Sequence, residues 1–151
     1  MTLEEQDVMK TRRATWLARL LHVGGYVWAS PISLPAVLLA WLAGRSGGIC
    51  QLRDGVLEGA GGWTGAMLQR LLPGFPIAAI TLGHVVLASC PRTLELTRRH
   101  ERVHVAQYAR WGLLFPAAYA LASVTAWLQG RPPYRGNCFE REAYHVDDPG
   151  C

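Results

Sequence analysis

Residues 100–104 read His-Glu-Arg-Val-His. On a helix, positions i and i+4 share a face and stack one turn apart. The imidazoles of His100 and His104 can then bind one zinc ion at about 2.0–2.1 Å. Glu101 lies one step around the helix, so its carboxylate sits beside the metal rather than on it. From there it can take a proton from water whose pKa the metal lowers to about 7. The pattern assigns His100 and His104 as zinc ligands and Glu101 as the general base of a hydrolytic reaction. The pattern is short and also arises by chance, in which case the histidines are unrelated. Helical context favours the metal. Leu94, Leu96, Val103, Val105, Ala106 and Ala109 offer apolar contacts, and Gly112 and Pro116 lie beyond the motif.

The same face extends through Thr97, Gln107, Tyr108 and Trp111. A polar stripe is usually solvated, but one that holds a whole metal motif reads as a cleft wall. Gln107 and Tyr108 are candidates to support the ligands from behind, against plainer surface or packing roles. A catalytic zinc site also needs a third protein ligand and an open fourth position. A further His six residues after the motif is absent, because Arg110 stands there. Downstream acids are Glu140, Glu142, Asp147 and Asp148. Asn137 has the character of an N-cap that places Glu140 in a first helical turn. Glu140 therefore also has a local capping role open to it.

The pairing of His-Glu-Arg-Val-His with Phe139-Glu140-Arg141-Glu142-Ala143-Tyr144 resembles the gluzincin metallopeptidases. It is closest to the membrane-associated group of CAAX-type proteases and β-lactam sensor peptidases, and to a small uncharacterised bacterial HExxH family. That group carries Glu-x-x-Ala-Asp, and here Tyr144 replaces the Asp. The resemblance covers about residues 77–146. It implies Glu140 as third zinc ligand, Glu142 as an outer or surface residue, and hydrolysis of peptide bonds. It also implies an edge strand for substrate beside the motif helix, a place that residues 80–86 occupy in sequence. Tyr144 is a candidate oxyanion donor on little support, and His84 receives no catalytic role.

The elements that must position these groups are legible in outline. Asp54-Gly55 between alternating runs predicts a hairpin over residues 49–62. Trp63–Leu72 reads as a short helix stopped by Pro73-Gly74. Residues 77–89 read as a strand, with Gly83 a point of interruption. Pro91 opens the motif helix to about Arg110. Another helix follows to Gln129, and a last one starts near Asn137. Residues 20–44 form a run of 25 without a charged side chain, long enough for a span of roughly 20 residues. Gly24-Gly25, Pro31 and Pro35 would break or kink such a span, so two shorter helical pieces are an equal alternative. The stretch 111–130 is also free of charge.

Composition bounds the rest. The chain has 151 residues, 17% of them charged, and a net charge of +4. Scattered Arg without interleaved aromatics argues against nucleic-acid binding. Four cysteines without a CxxC pair exclude a zinc ribbon, and they read as isolated buried thiols. The expected fold is α+β: a minimal zincin-like domain with a small sheet, a motif helix and hydrophobic flanking helices. The expected organisation is a polar segment over 1–19, a hydrophobic helical segment over 20–44 with membrane contact, and a metal-binding domain over 45–151. The expected function is zinc-dependent hydrolysis of a peptide or protein substrate at the bacterial inner membrane. The alternatives are a zinc-binding scaffold or sensor without turnover, and a cytoplasmic location.

Overall fold

The computed structural model describes residue 24, residues 28–71 and residues 77–147. The polar segment 1–19, most of residues 20–27, the Pro73-Gly74 stop, Asp148 and Cys151 lie outside the described residues. The fold is α+β. In order, helix α1 covers residues 28–45, and strands β1 (Ile49–Arg53) and β2 (Val56–Ala60) follow. Next come α2 (Gly62–Arg70), β3 (Ala79–Leu82), β4 (Val85–Ala88) and α3 (Pro91–Trp111). A 3-10 turn (Gly112–Leu114), α4 (Phe115–Leu128) and α5 (Cys138–Asp147) complete it.

The strands form one mixed sheet in the order β1-β2-β4-β3. The β1–β2 hairpin turns at Asp54-Gly55, where both residues have positive φ, 51° and 78°, as a tight two-residue hairpin requires. β2 and β4 run parallel, whereas β3 and β4 are antiparallel. The stretch 77–89, expected as one strand, is therefore two strands that reverse at Gly83-His84. The positive φ of Gly83, 65°, suits it to the turn. Of the expected 80–86 edge strand, β3 forms the edge and β4 lies inside the sheet.

Side chains alternate across the sheet, and this builds two cores. Val56, Ala60, Val86 and Ala88 meet Leu94 and Val105 of α3. Val85 and Leu87 meet Ala36 and Ala40 of α1 and Leu68 of α2. Gly59 admits α1 at close range, since a Cβ there would lie 2.6 Å from the Cα of Ala40. Helix α1 is continuous over residues 28–45 although it contains Pro31 and Pro35, so neither proline breaks it; Gly25 lies outside the described residues. Small residues hold it against the sheet. The Ser33 hydroxyl donates to the Ala29 carbonyl at 3.1 Å and accepts the His84 N–H at 3.0 Å.

Two smaller expectations also change. Leu96 points to solvent at 74% exposure, so it adds nothing to the helix contacts. Cys50 and Cys138 are exposed and Cys90 is intermediate, all three free thiols rather than buried ones. Cys90 caps α3, its sulfur accepting the Thr93 N–H at 3.4 Å.

The 3-10 turn and α4 that follow α3 carry no charged side chain. The helical run Pro91–Leu128 is long and apolar enough, by length and composition, to cross a membrane, and 17% of its apolar window is buried.

Candidate metal centre

The whole motif lies on α3 on the side that faces β3 and α5. His100, Glu101, His104, Gln107 and Tyr108 are all buried, so the polar stripe is an inner wall and not a solvated face. Trp111, at its end, is exposed. Glu140 comes from α5. The helix starts as its sequence suggests, with the Asn137 side-chain oxygen accepting the Phe139 N–H at 2.9 Å. Asn137 is itself pinned to α4, its amide donating to the Tyr119 carbonyl at 3.1 Å and to Ser123 at 2.8 Å. The cap thus anchors the first turn of α5 and directs Glu140 inward. Glu140 serves no capping role: its carboxylate reaches the two histidines and Tyr119.

The ligand atoms converge. His100 Nε2 lies 3.1 Å from Glu140 Oε2 and 3.2 Å from His104 Nε2. His104 Nε2 lies 3.3 Å from Glu140 Oε1. Ligands held at 2.0–2.1 Å around a tetrahedral ion are about 3.3 Å from one another. The three residues therefore form a buried group able to hold a metal ion, with the two histidines meeting different oxygens of the one carboxylate at close to that separation.

The outer contacts favour lone pairs at the centre. The Gln107 amide nitrogen donates to the Phe139 carbonyl at 3.0 Å and to Glu142 at 2.9 Å. Its oxygen is left facing His104 Nδ1 at 2.8 Å. An amide oxygen only accepts, so Nδ1 carries a hydrogen, and Nε2 is the nitrogen that can give up its proton and turn a lone pair inward. Glu142 also accepts from Arg110 at 2.7 Å. Gln107 and Glu142 thus stand behind a ligand as an outer layer, and Arg110 holds the far end.

Electrostatics follow from burial and proximity. Burial acts to raise the pKa of Glu140, but hydrogen bonds from His100, His104 and Tyr119 outweigh it and hold the carboxyl well below its usual range. Burial acts to lower that of His104, but hydrogen bonds to Glu140 and Gln107 raise it. Glu101 is raised, chiefly by burial, against a hydrogen bond from Thr81 and the nearby histidines. Burial alone pushes the Tyr108 phenol up to about 12.

A cavity of about 830 Å³ opens onto the group, with His100, Glu101, His104 and Glu140 in its lining. Apolar side chains of α1, β3 and α4 make most of the remaining wall, Ile32, Ile80, Leu82 and Phe115 among them. Three neighbours of the centre escape the sequence reading: Thr81 on β3, Tyr119 on α4 and Tyr134. Tyr119 donates to Glu140 Oε1 at 2.7 Å. The one tyrosine of the charge-free stretch is its only signal. Tyr144 is not in the cavity lining. It packs edge-on against His100, ring centroids 4.8 Å apart, with the Arg135 guanidinium 5.1 Å from its own centroid. His84 lies in the β3–β4 turn, away from that lining. Compared with protein-family models, curated proteins and solved structures, the chain finds no match.

Proposed function

We propose that the chain is a small zinc-dependent peptide hydrolase, with His100, His104 and Glu140 as ligands and Glu101 as general base. The observation that carries the reading is the convergence of two Nε2 atoms and one carboxylate, 3.1 to 3.3 Å apart, with a buried carboxylate one residue from the first ligand. Two nitrogens and one carboxylate suit zinc better than calcium or magnesium, which prefer oxygen. Bound zinc would supply Lewis acidity, polarising a carbonyl and lowering the pKa of water. Glu101 takes a proton from the attacking water as the new C–O bond forms. It returns that proton to the amine nitrogen as the C–N bond breaks. Glu140 and Tyr119 hold the floor of the cavity, and β3 offers its edge to an extended chain.

We also place the protein at a membrane. Trp28, Trp41, Trp111 and Trp127 are 44–65% exposed, and Leu34, Leu38, Leu121 and Leu128 are 56–73% exposed. Indole rings favour the membrane–water boundary, and apolar side chains exposed in this way gain by entering lipid. Zinc content, cleavage of a peptide library and co-sedimentation with anionic vesicles test the three parts. Wild type should hold about one zinc per chain and cleave peptides, with Glu101→Gln retaining zinc and losing cleavage by about 100-fold or more. Zinc without cleavage in the wild type points to a scaffold or sensor. Failure to sediment with vesicles removes the membrane.

A further inference from the structure

The Thr81 hydroxyl lies 2.6 Å from Glu101 Oε2, and Thr81 is 6% exposed. The same hydroxyl lies 3.3 Å from the Glu101 backbone carbonyl. One hydroxyl has one hydrogen to give. An ionised carboxylate is the stronger acceptor, and the shorter contact has the length of a charge-assisted bond. Thr81 sits on β3, the strand at the sheet edge. Its side chain lies on the α3 side of the sheet, opposite Val86 in the register. A β-branched side chain in a strand has little χ1 freedom, so the sheet fixes where this hydroxyl points.

We infer that Thr81 is the positioning residue for Glu101, holding Oε2 from the edge strand so that Oε1 receives the proton of the attacking water. The inference rests on the hydrolase reading for its chemistry but on the sheet–helix contact for its geometry. With Oε2 engaged, the carboxylate cannot rotate freely about its last bond, and the proton is taken and returned at one atom. Thr81 touches neither the metal ligands nor the reacting atoms in this arrangement. It acts only through Glu101. The strand that borders the cavity thereby also orients the base.

Thr81→Val and Thr81→Ser separate hydroxyl from shape. Valine keeps the branched outline and the strand preference but cannot donate. Serine keeps the donor. In zinc-loaded protein, Thr81→Val should lower kcat by about 10–100-fold, the range of an outer partner, with zinc content unchanged. KM should stay near the wild-type value, and Thr81→Ser should recover most of kcat. Wild-type kcat in Thr81→Val overturns the inference. So does a Thr81→Ser variant as slow as Thr81→Val, which would make the contact one of packing.

A second readout needs no turnover. Acetohydroxamate chelates a metal and presents a hydroxyl to a carboxylate beside it. Its affinity for the cobalt(II)-loaded protein, read by the visible spectrum, reports where Glu101 is held. Thr81→Val should weaken it towards the value of Glu101→Gln, and Thr81→Ser should not. Equal affinities in wild type and Thr81→Val overturn the inference even if the protein proves to be no hydrolase. A wild type that cleaves nothing, yet shows the hydroxamate difference, defeats the hydrolase reading and leaves Thr81 in its assigned place.

Discussion

Helix α3 carries two buried charged clusters on different sides, and they are completed differently. Towards the β1–β2 hairpin, Glu58 of β2 is fully buried. It accepts from Gln51 at 2.8 Å, from Arg98 at 3.1 Å and from Arg102 at 3.2 Å. Arg102 also reaches the Arg53 carbonyl at 2.7 Å. Here the protein brings its own cations to a buried carboxylate; burial acts to raise its pKa, but the hydrogen bonds from Gln51 and Arg98 and the charges of Arg98 and Arg102 outweigh it and hold it low. Towards α5, Glu140 meets two histidines and a tyrosine. There the imidazole nitrogens, which can give up their hydrogens, converge with the carboxylate on one spot. A buried carboxylate matched by guanidiniums is already paired with fixed charge, whereas one matched by imidazole nitrogens could exchange their protons for a metal ion. Arg102 and His104 lie two residues apart within the motif, so one segment of helix carries both an anchor and the candidate metal centre.

The largest effects should separate the two clusters by what they do to metal. His104→Ala should abolish stoichiometric zinc, as should Glu140→Ala, each beyond the roughly 10–100-fold loss typical of an outer partner. Glu58→Gln should leave zinc affinity unchanged and lower unfolding stability by about 1–3 kcal/mol, the scale of a weakened buried hydrogen-bond group. Zinc titration and denaturant unfolding of the three variants check this. Full zinc retention in His104→Ala would end the distinction, because both clusters would then be structural.

A smaller effect sharpens the division within the metal side. Glu142→Ala removes one acceptor of the Gln107 amide and frees it to turn. The expected loss of zinc affinity is at most about 10–100-fold. Glu142 is itself exposed and tied to Arg110, so stability should change little. A greater loss in Glu142→Ala than in Glu140→Ala would exchange their roles.

The sequence made the motif legible because its geometry is local: one helix fixes His100, Glu101 and His104 together. Asn137 and Asp54-Gly55 were legible for the same reason, each being a property of two to four residues. Glu140 was one of four acids until the family resemblance favoured it. Its inward aim comes from Asn137 bonding to α4, which spacing does not reveal. Thr81 and Tyr119 were hidden because their partners are 20 and 21 residues away. The reversal at Gly83-His84 was read as an interruption, since apolar residues run on both sides of it. Pro31 and Pro35 left a continuous helix and a broken one equally open. Their cost to α1 is local, while the contacts of Ala36 and Ala40 that hold the helix to the sheet are tertiary.

The smallest expected effect is a difference in pH response. Without metal, Glu140 has a depressed pKa, so its stabilisation is present above about 4.3 and is lost as pH falls through the folded value. His104 is raised, so its stabilisation is present below about 6.5 and is lost as pH rises through the folded value. The metal-free centre should therefore stabilise the fold most in mildly acidic solution. The Glu58 cluster differs on the alkaline side. Glu58 is depressed, and its arginines do not titrate in this range, so its contribution persists as pH rises. Zinc reverses the dependence at the centre. Uptake must displace the proton from His104, so affinity should fall as pH drops, by up to about tenfold per unit for one proton. The raised His104 pKa starts that fall above 6.5. Thermal melts at pH 5.5 to 8.5 should show the metal-free protein losing stability with rising pH and the zinc-loaded protein gaining it. In Glu140→Ala both trends should flatten, and in Glu58→Gln both should persist. Parallel curves for metal-free and zinc-loaded wild type would mean that the ion does not engage His104.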